Sequence, residues 1–298
     1  MRISTSQVFS RPMTLMSQLS NQADSLQTQI ATTKRFTAPS ASPAAYVQLQ
    51  GIARANADDD AYAANIQTAQ GLLGQADATL ESVESQLQRV QELATQAANG
   101  TYSDADRTAI AKELDAIRDT MFALANTKDV RGQPIFGGAT GDVAYAKAAD
   151  GSVSFAGTGE PAAIPTGSGS SVQAGISGER VFASGASDIF ATLDAFSAAL
   201  AAGGDVKAAA DAALGGVKDT LENVALGRAS VGARAARLDL DVELLTKVGD
   251  AREAARSGLE DTDIASTVTE LQKTLTVLQA TQASFTKLSS LSLFDYLN

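Results

Sequence analysis

Apolar side chains recur at alternating steps of three and four residues along several long stretches, and this spacing constrains the fold more than any other feature. The clearest run lies between residues 73 and 97, and two others follow between 110 and 124 and between 214 and 245. A mean spacing of 3.5 residues places apolar side chains on one face of a helix. Asn99 and Gly100 then favour a helix end, and Ser103 with Asp106 favours a new helix start. These stretches predict long helices packed side by side.

Both ends of the chain carry apolar stripes of the same kind, although chain ends are usually polar. Two such stripes predict terminal helices that pair with each other and then with other subunits, because a single helix pair buries too little apolar surface to offset the ordering of its backbone. We predict an assembly interface from the following residues: Met16, Leu19, Leu26, Ile30, Leu271, Leu275, Leu278, Phe285, Leu293, Phe294 and Leu297.

The middle of the chain differs in composition, since glycine, serine and threonine replace leucine between residues 137 and 187. Asp150 and Gly151 separate two short segments of β-forming residues, which is typical of a hairpin. The predicted fold class is mainly α: an elongated antiparallel helical bundle or coiled coil formed by both chain ends, with a small β-rich inserted domain. The predicted domains are 1–45 plus 257–298 for assembly, 46–136 plus 188–256 for a helical rod, and 137–187 for the insert.

Composition excludes several classes of function. The 298 residues include no histidine and no cysteine, so imidazole or thiolate ligands and catalytic triads are absent. We predict no enzyme activity, no cofactor and no metal site. The net charge of −11 disfavours nucleic acid and anionic membranes as partners. The N-terminus lacks the apolar core of a cleaved signal peptide.

Three segments resemble functional sites, but each has a simpler structural interpretation. Asp58, Asp59 and Asp60 are consecutive, so on a helix they point in different directions and form a solvated face. The glycine-rich segment 166–171 lacks the lysine of a phosphate-binding loop and is interpreted as a flexible loop. Arg228 is the one charged member of its apolar run, and we expect its guanidinium to reach a neighbouring carboxylate.

Specific motifs resemble the flagellin and hook-associated protein superfamily of bacterial flagella. They are the segment Gln-Ala-Ala-Asn-Gly-Thr at 96–101, the Ser-Asp-x-Asp sequence at 103–106, Ala-Asn-Thr at 125–127 and the segment 255–263. Within the superfamily, residues 1–7, 34–35, 231–234 and 293–297 resemble the proteins of the hook–filament junction more than flagellin.

The resemblance implies a mechanical role with defined partners. The expected partners are further copies of the chain in a ring or helical array, the adjacent hook-associated junction protein, flagellin and a cytoplasmic export chaperone. The expected location is the extracellular flagellum, reached through the flagellar type III apparatus without signal cleavage. Two alternatives remain open: a short flagellin that forms the filament, and a secreted helical adhesin or ligand-binding module. The last would need exposed aromatic or charged residues on the insert, where Tyr145, Phe155 and Phe182 are available.

Overall fold

The computed structural model describes residues 5–139, 141–184 and 187–295, with the side chains of 5–9, 184, 187 and 288–295 outside the description. Over these residues the fold is mainly α, as predicted. The helices are α1 (Thr5–Thr32), α2 (Pro43–Ala97), α3 (Asp104–Ala125), α4 (Gly178–Val181), α5 (Ile189–Ala202), α6 (Lys207–Glu260) and α7 (Ile264–Asp295). The strands are β1 (Tyr145–Lys147), β2 (Val153–Phe155), β3 (Ala163–Gly167), β4 (Ser170–Gln173), β5 (Ala183–Ser184) and β6 (Ser187–Asp188).

The chain divides into two compact units. The terminal unit comprises Met1–Ala57 and Val248–Asn298, and the central unit comprises Asp58–Lys247. The division into three domains therefore stays a prediction. None of the described helices is long and apolar enough to span a membrane.

The helices of the central unit follow the predicted apolar runs. On α6 the residues at every seventh position are buried, namely Val217, Val224, Val231 and Leu238. The α2–α3 turn is also as predicted: Ser103 accepts a hydrogen bond from the Asp106 amide, and the Asp106 side chain accepts one from the Ser103 amide. Such a reciprocal cap satisfies amide groups that a helix start leaves unpaired. Local sequence signals therefore determine where these helices begin.

Arg228 joins α6 to α2 as the sequence analysis expected. Its Nε lies 2.9 Å from Asp77 Oδ1 and its Nη1 lies 2.8 Å from Glu84 Oε2. These hydrogen bonds raise the pKa of the guanidinium above its ordinary value, with Asp77 contributing most. The two carboxylates are seven residues apart, so the guanidinium spans two turns of α2.

Two long helices continue through glycines that often mark helix ends. Helix α2 begins at Pro43 and continues through Gly51 and the three aspartates. Helix α6 continues through Gly258 and ends at Glu260. A single glycine inside a long helix costs only about 1 kcal/mol, which packing of the rest of the helix outweighs.

In the described residues of the insert the strands form three antiparallel pairs: β1–β2, β3–β4 and β5–β6. The Asp150–Gly151 turn closes the first, as the sequence predicted, and Tyr145 lies opposite Phe155. Residues 166–171, which were expected to form a flexible loop, instead form the end of the β3–β4 hairpin. That expectation was wrong because the strand pattern on either side of the glycines is short and weak.

The aromatic side chains of the insert serve packing. Tyr145 is buried, its ring centroid lies 5.4 Å from that of Phe182 and 5.0 Å from that of Phe190, and its hydroxyl donates to the Gly178 carbonyl. A Cβ at Gly178 would lie 2.9 Å from the Tyr145 ring, so the close approach requires glycine. Burial raises the pKa of the Tyr145 hydroxyl. Because Tyr145 and Phe182 are buried and Phe155 is half-buried, these rings form no exposed ligand-binding cluster.

Asp188 provides a pH-dependent test of this packing. It caps α5 by accepting from the Ala191 amide, and burial raises its pKa above the ordinary 3.8, reinforced by the nearby charge of Asp194. A carboxyl group whose pKa is higher in the folded state than in the unfolded state stabilises the fold at pH values below its unfolded-state pKa. This stabilisation is lost as the pH rises through the folded-state pKa. Asp188→Asn keeps an equally good cap, so we expect its free energy of unfolding at pH 7 to equal or exceed that of the wild type.

Urea denaturation of both proteins at pH 4 and pH 7 measures this difference. Asp150→Asn is the matched control and should lower the free energy of unfolding at pH 7, because hydrogen bonds from Ser152 hold the Asp150 pKa below its ordinary value. If Asp188→Asn lost more free energy of unfolding at pH 7 than Asp150→Asn, the raised pKa of Asp188 would be contradicted.

Candidate assembly interface

The two ends of the chain are joined by main-chain hydrogen bonds inside the terminal unit. The Arg35 amide donates to the Glu260 carbonyl at 2.7 Å, and the Thr262 amide donates to the Thr33 carbonyl at 2.9 Å. Thr33 has φ of 58°, a left-handed conformation that non-glycine residues adopt rarely. We call residues 33–35 and 260–262 the clasp. The clasp lies where α1 ends and α7 is about to begin.

Charged side chains reinforce the clasp. Lys34 and Arg256 both bind the carboxylate of Glu260, whose side chain is 14% exposed. Ser257 Oγ donates to Asp261 at 2.6 Å. The hydrogen bond from Lys34, reinforced by one from Arg256, holds the pKa of Glu260 below its ordinary value although burial acts in the opposite sense. The clasp is therefore stabilised by an ionised Glu260.

From the clasp, α1 and α7 pack against each other. The predicted stripe of α1 faces this seam: Ala23 is buried, and the other members are half-buried, namely Met16, Leu19, Leu26 and Ile30. On α7, Leu271, Leu278 and Phe285 are half-buried at steps of seven. Arg11, Pro12 and Leu15 lie near Phe285 around one small cavity. The structure thus brings seven of the predicted interface residues to one seam.

The α7 side of the seam also contains threonines that the sequence analysis missed. Thr267 and Thr274 are buried and Thr281 is half-buried. The hydroxyls of Thr267 and Thr281 each donate to the carbonyl four residues earlier, at 2.7 Å. This bond satisfies the hydroxyl within the helix, so the polar group needs no partner across the seam. The recurrence of threonine at every seventh position of α7 is the sequence signal that could have predicted these seam residues.

Leu275, another predicted interface residue, is 41% exposed and lies beside the seam rather than in it. The buried position of α7 is Thr274, one residue earlier. The predicted residues Leu293, Phe294 and Leu297 lie outside the described side chains. The role of all these residues in subunit assembly stays a prediction.

The terminal unit lacks a core of large apolar side chains. Among its described side chains only Ala23, Thr267 and Thr274 are buried, whereas the apolar core cluster lies within residues 66–238. Seven large apolar side chains of this unit are exposed, namely Met13, Leu15, Tyr46, Val47, Ile264, Leu275 and Val277. Burial of apolar surface is the main favourable term in folding and association. The exposed residues are thus available to neighbouring molecules.

Several known proteins are similar to this chain in sequence or in fold. The family description "Bacterial flagellin N-terminal helical region" matches residues 3–140, and "Bacterial flagellin C-terminal helical region" matches residues 214–297. Flagellar hook-associated protein 3 of Salmonella typhimurium is 29% identical over 99% of this chain and 99% of its own length. The Escherichia coli protein of that name is 30% identical over 90% of each chain. The crystal structure of FlgL from Xanthomonas campestris superposes with a TM-score of 0.62 at 20% identity, over 69% of this chain and 99% of that one.

The seam assignment predicts different effects for two neighbouring leucines. Leu278→Asp places a carboxylate in the half-buried seam, so we expect it to weaken the α1–α7 pair in the isolated subunit by about 1–3 kcal/mol. Leu275→Asp is the control, since that side chain already faces solvent. Trypsin should cleave the Leu278→Asp protein faster at Arg35 and Lys273, with a matching loss of far-ultraviolet circular dichroism. Equal protection of both variants would contradict the seam.

The clasp predicts a dependence on acid. A carboxyl group whose pKa is lower in the folded state than in the unfolded state stabilises the fold at pH values above its unfolded-state pKa. This stabilisation is lost as the pH falls through the folded-state pKa. The pairing of α1 with α7 should therefore weaken below the ordinary Glu pKa of 4.5. Glu260→Gln should remove part of this pH dependence and weaken the pair at pH 7. Proteolysis at Arg35 measured with an acid-tolerant protease from pH 3 to pH 7 tests this, and identical profiles for the two proteins would exclude the clasp as the cause.

Proposed function

The chain belongs to the flagellar hook-associated protein 3 family, and we propose that it is a structural subunit of the bacterial flagellum at the junction between hook and filament. In this role the subunit forms a ring or helical array and presents the surface on which flagellin assembles. Its work is mechanical and involves no chemical step. Membership of the family is the premise, and the character of the terminal unit provides independent physical support.

The observation that carries the proposal is the missing core of the terminal unit. The described part of its helices exposes Met13, Leu15, Leu275 and Val277, and its buried side chains include no large apolar residue. Copies of the chain that pack around this unit would remove those side chains from water, at about 1.5–3 kcal/mol for each one fully buried. The terminal unit is therefore completed by its neighbours. A heterologous contact of this kind repeats into rings or open helical arrays.

The finer parts of the proposal concern partners and location. The neighbours are further copies of this chain, the adjacent hook-associated junction protein on the hook side and flagellin on the filament side. Before export a cytoplasmic chaperone covers the terminal helices, whose apolar residues would otherwise associate. Export proceeds through the flagellar type III apparatus without signal cleavage. We call the exposed residues Met13, Leu15, Leu275 and Val277 the exposed flank. The assembly surface consists of the seam, the exposed flank and the residues Leu293, Phe294 and Leu297.

Electron microscopy of a deletion strain tests the proposal directly. Without a junction subunit, cells should carry bare hooks and release flagellin into the medium. The gene for this chain should restore filaments. Loss of the filament protein itself from cells and medium would instead identify the chain as a flagellin, and normal filaments in the deletion strain would refute both roles.

A point variant separates assembly from folding. Leu275→Asp leaves the α1–α7 seam intact because the side chain is already 41% exposed, but it would bury a carboxylate against a neighbouring subunit. We expect normal circular dichroism, normal secretion and loss of filaments. Thr276→Asp, which adds the same charge at an exposed position on the side of α7 opposite the seam, is the matched control and should assemble. If both variants form filaments, the exposed flank is not an assembly surface.

A further inference from the structure

The turn between α2 and α3 contains the one Asn-Gly pair of the sequence. Both residues of the pair, Asn99 and Gly100, are exposed to water. The Asn99 amide donates to the Gln96 carbonyl at 3.1 Å, and the Asn99 carbonyl accepts from the Tyr102 amide at 3.3 Å. The main chain of Asn99 is therefore held in place on both sides.

The side chain of Asn99 is folded back over the residue that follows it. Its Oδ1 accepts hydrogen bonds from the Thr101 amide at 3.1 Å and from Thr101 Oγ1 at 3.0 Å. Asparagine side chains often bond in this way to the main chain two residues on. Because Gly100 lies between the two bonded residues, these contacts close a small ring that brings the carboxamide near the Gly100 amide. The two donors also favour negative charge on Oδ1, so they polarise the side-chain carbonyl.

Gly100 places an accessible main-chain nitrogen beside this carbonyl. Its amide has no hydrogen-bond partner among the described residues, and glycine has no Cβ that would shield it. A Cβ at this position would meet no atom within 4 Å, and the φ of Gly100 is not in the left-handed region. The turn itself therefore does not require glycine, and the Gly100 nitrogen is free to approach the Asn99 side chain.

The Asp150–Gly151 turn provides a comparison within the same chain. Asp150 Oδ1 accepts from the Ser152 amide at 3.0 Å and from Ser152 Oγ at 2.7 Å, which is the arrangement found at Asn99. The Gly151 amide, however, donates to the Ala148 carbonyl at 3.0 Å. This nitrogen must lose a hydrogen bond of the hairpin before it can approach the neighbouring side chain. The free amide distinguishes the α2–α3 turn from the hairpin turn.

We propose that Asn99 is a site of spontaneous covalent modification, at which the turn converts its own asparagine into aspartate and isoaspartate. The Gly100 nitrogen attacks Asn99 Cγ and forms a C–N bond. The Cγ–Nδ2 bond breaks, and Nδ2 leaves as ammonia with the proton of the Gly100 amide. Water then opens either carbonyl of the resulting succinimide and gives aspartate or isoaspartate. Thr101 stabilises the negative charge that develops on Oδ1 during the attack.

The reaction consumes only water, so it does not depend on the role of the chain in the flagellum. Both products place a negative charge just beyond the C-terminus of α2, where the helix dipole disfavours it. Isoaspartate also adds one methylene to the main chain inside the turn that Asn99 and Tyr102 close. The converted fraction rises with the age of the chain. Conversion therefore loosens the connection between α2 and α3 in older copies.

A second Asn-Gly pair in the same molecule tests the proposal. Asp150→Asn creates such a pair in the hairpin. The purified full-length variant is incubated at pH 8, either folded or in concentrated urea, and its tryptic peptides 90–107 and 148–180 are analysed by mass spectrometry for loss of the amide and for isoaspartate. In the folded protein Asn99 should convert about tenfold faster than position 150, because only the Gly151 amide has a hydrogen bond to lose.

The incubation in urea shows whether the structure causes this difference. In urea the contacts of both turns are lost, so the two positions should convert at similar rates and both should yield isoaspartate. Equal rates in the folded protein, or a difference that persists unchanged in urea, would overturn the proposal. Absence of isoaspartate at position 99 after folded incubation would overturn it as well, because the succinimide opens to both products.

Two further variants test the roles of the residues after Asn99. Gly100→Ala should slow conversion about tenfold without lowering Tm, because the new Cβ shields the amide and meets no atom within 4 Å. Thr101→Val keeps the amide contact and removes the hydroxyl contact, so conversion should slow about fivefold. Thr95→Val is the control, since its hydroxyl bonds inside α2, and it should convert like the wild type. Unchanged conversion with Gly100→Ala, or equal slowing with Thr101→Val and Thr95→Val, would refute the mechanism.

Discussion

The terminal unit depends on main-chain hydrogen bonds between residues from opposite ends of the chain. The clasp pairs Arg35 with Glu260 and Thr33 with Thr262, so the end of α1 is fixed beside the start of α7. Because helices rise about 1.5 Å per residue, this one contact sets which residues of α1 lie level with which residues of α7. The ion pairs of Glu260 hold the clasp closed. The seam then needs only moderate apolar contact to keep the two helices in register.

The sequence predicted much of the central unit because its signals are local or strictly periodic. The heptad positions of α6, the cap at Ser103 and the Asp150–Gly151 turn each depend on a few nearby residues. Arg228 was predictable because a charged residue in an apolar run must reach a counter-charge. The sequence motifs alone also indicated the flagellar protein family to which the chain belongs.

The prediction failed where the role of a residue depends on distant parts of the chain. Thr274 has a polar side chain, yet it is buried in the seam, while Leu275 beside it is exposed. Which of two adjacent positions faces α1 is decided by how α1 packs on α7, and no spacing within α7 alone determines it.

The threonines of the seam affect how easily the chain ends can be separated. A threonine whose hydroxyl bonds to its own helix has only one methyl group to contribute to apolar contact, so alternate layers of the seam hold little apolar area. The least stable parts of a protein open first and most often. Pulling on the ends would therefore unzip α1 from α7 with little mechanical work, long before the aromatic core around Tyr145 yields. The same shallow seam can close again quickly, because few side chains have to interdigitate before the helices regain their register.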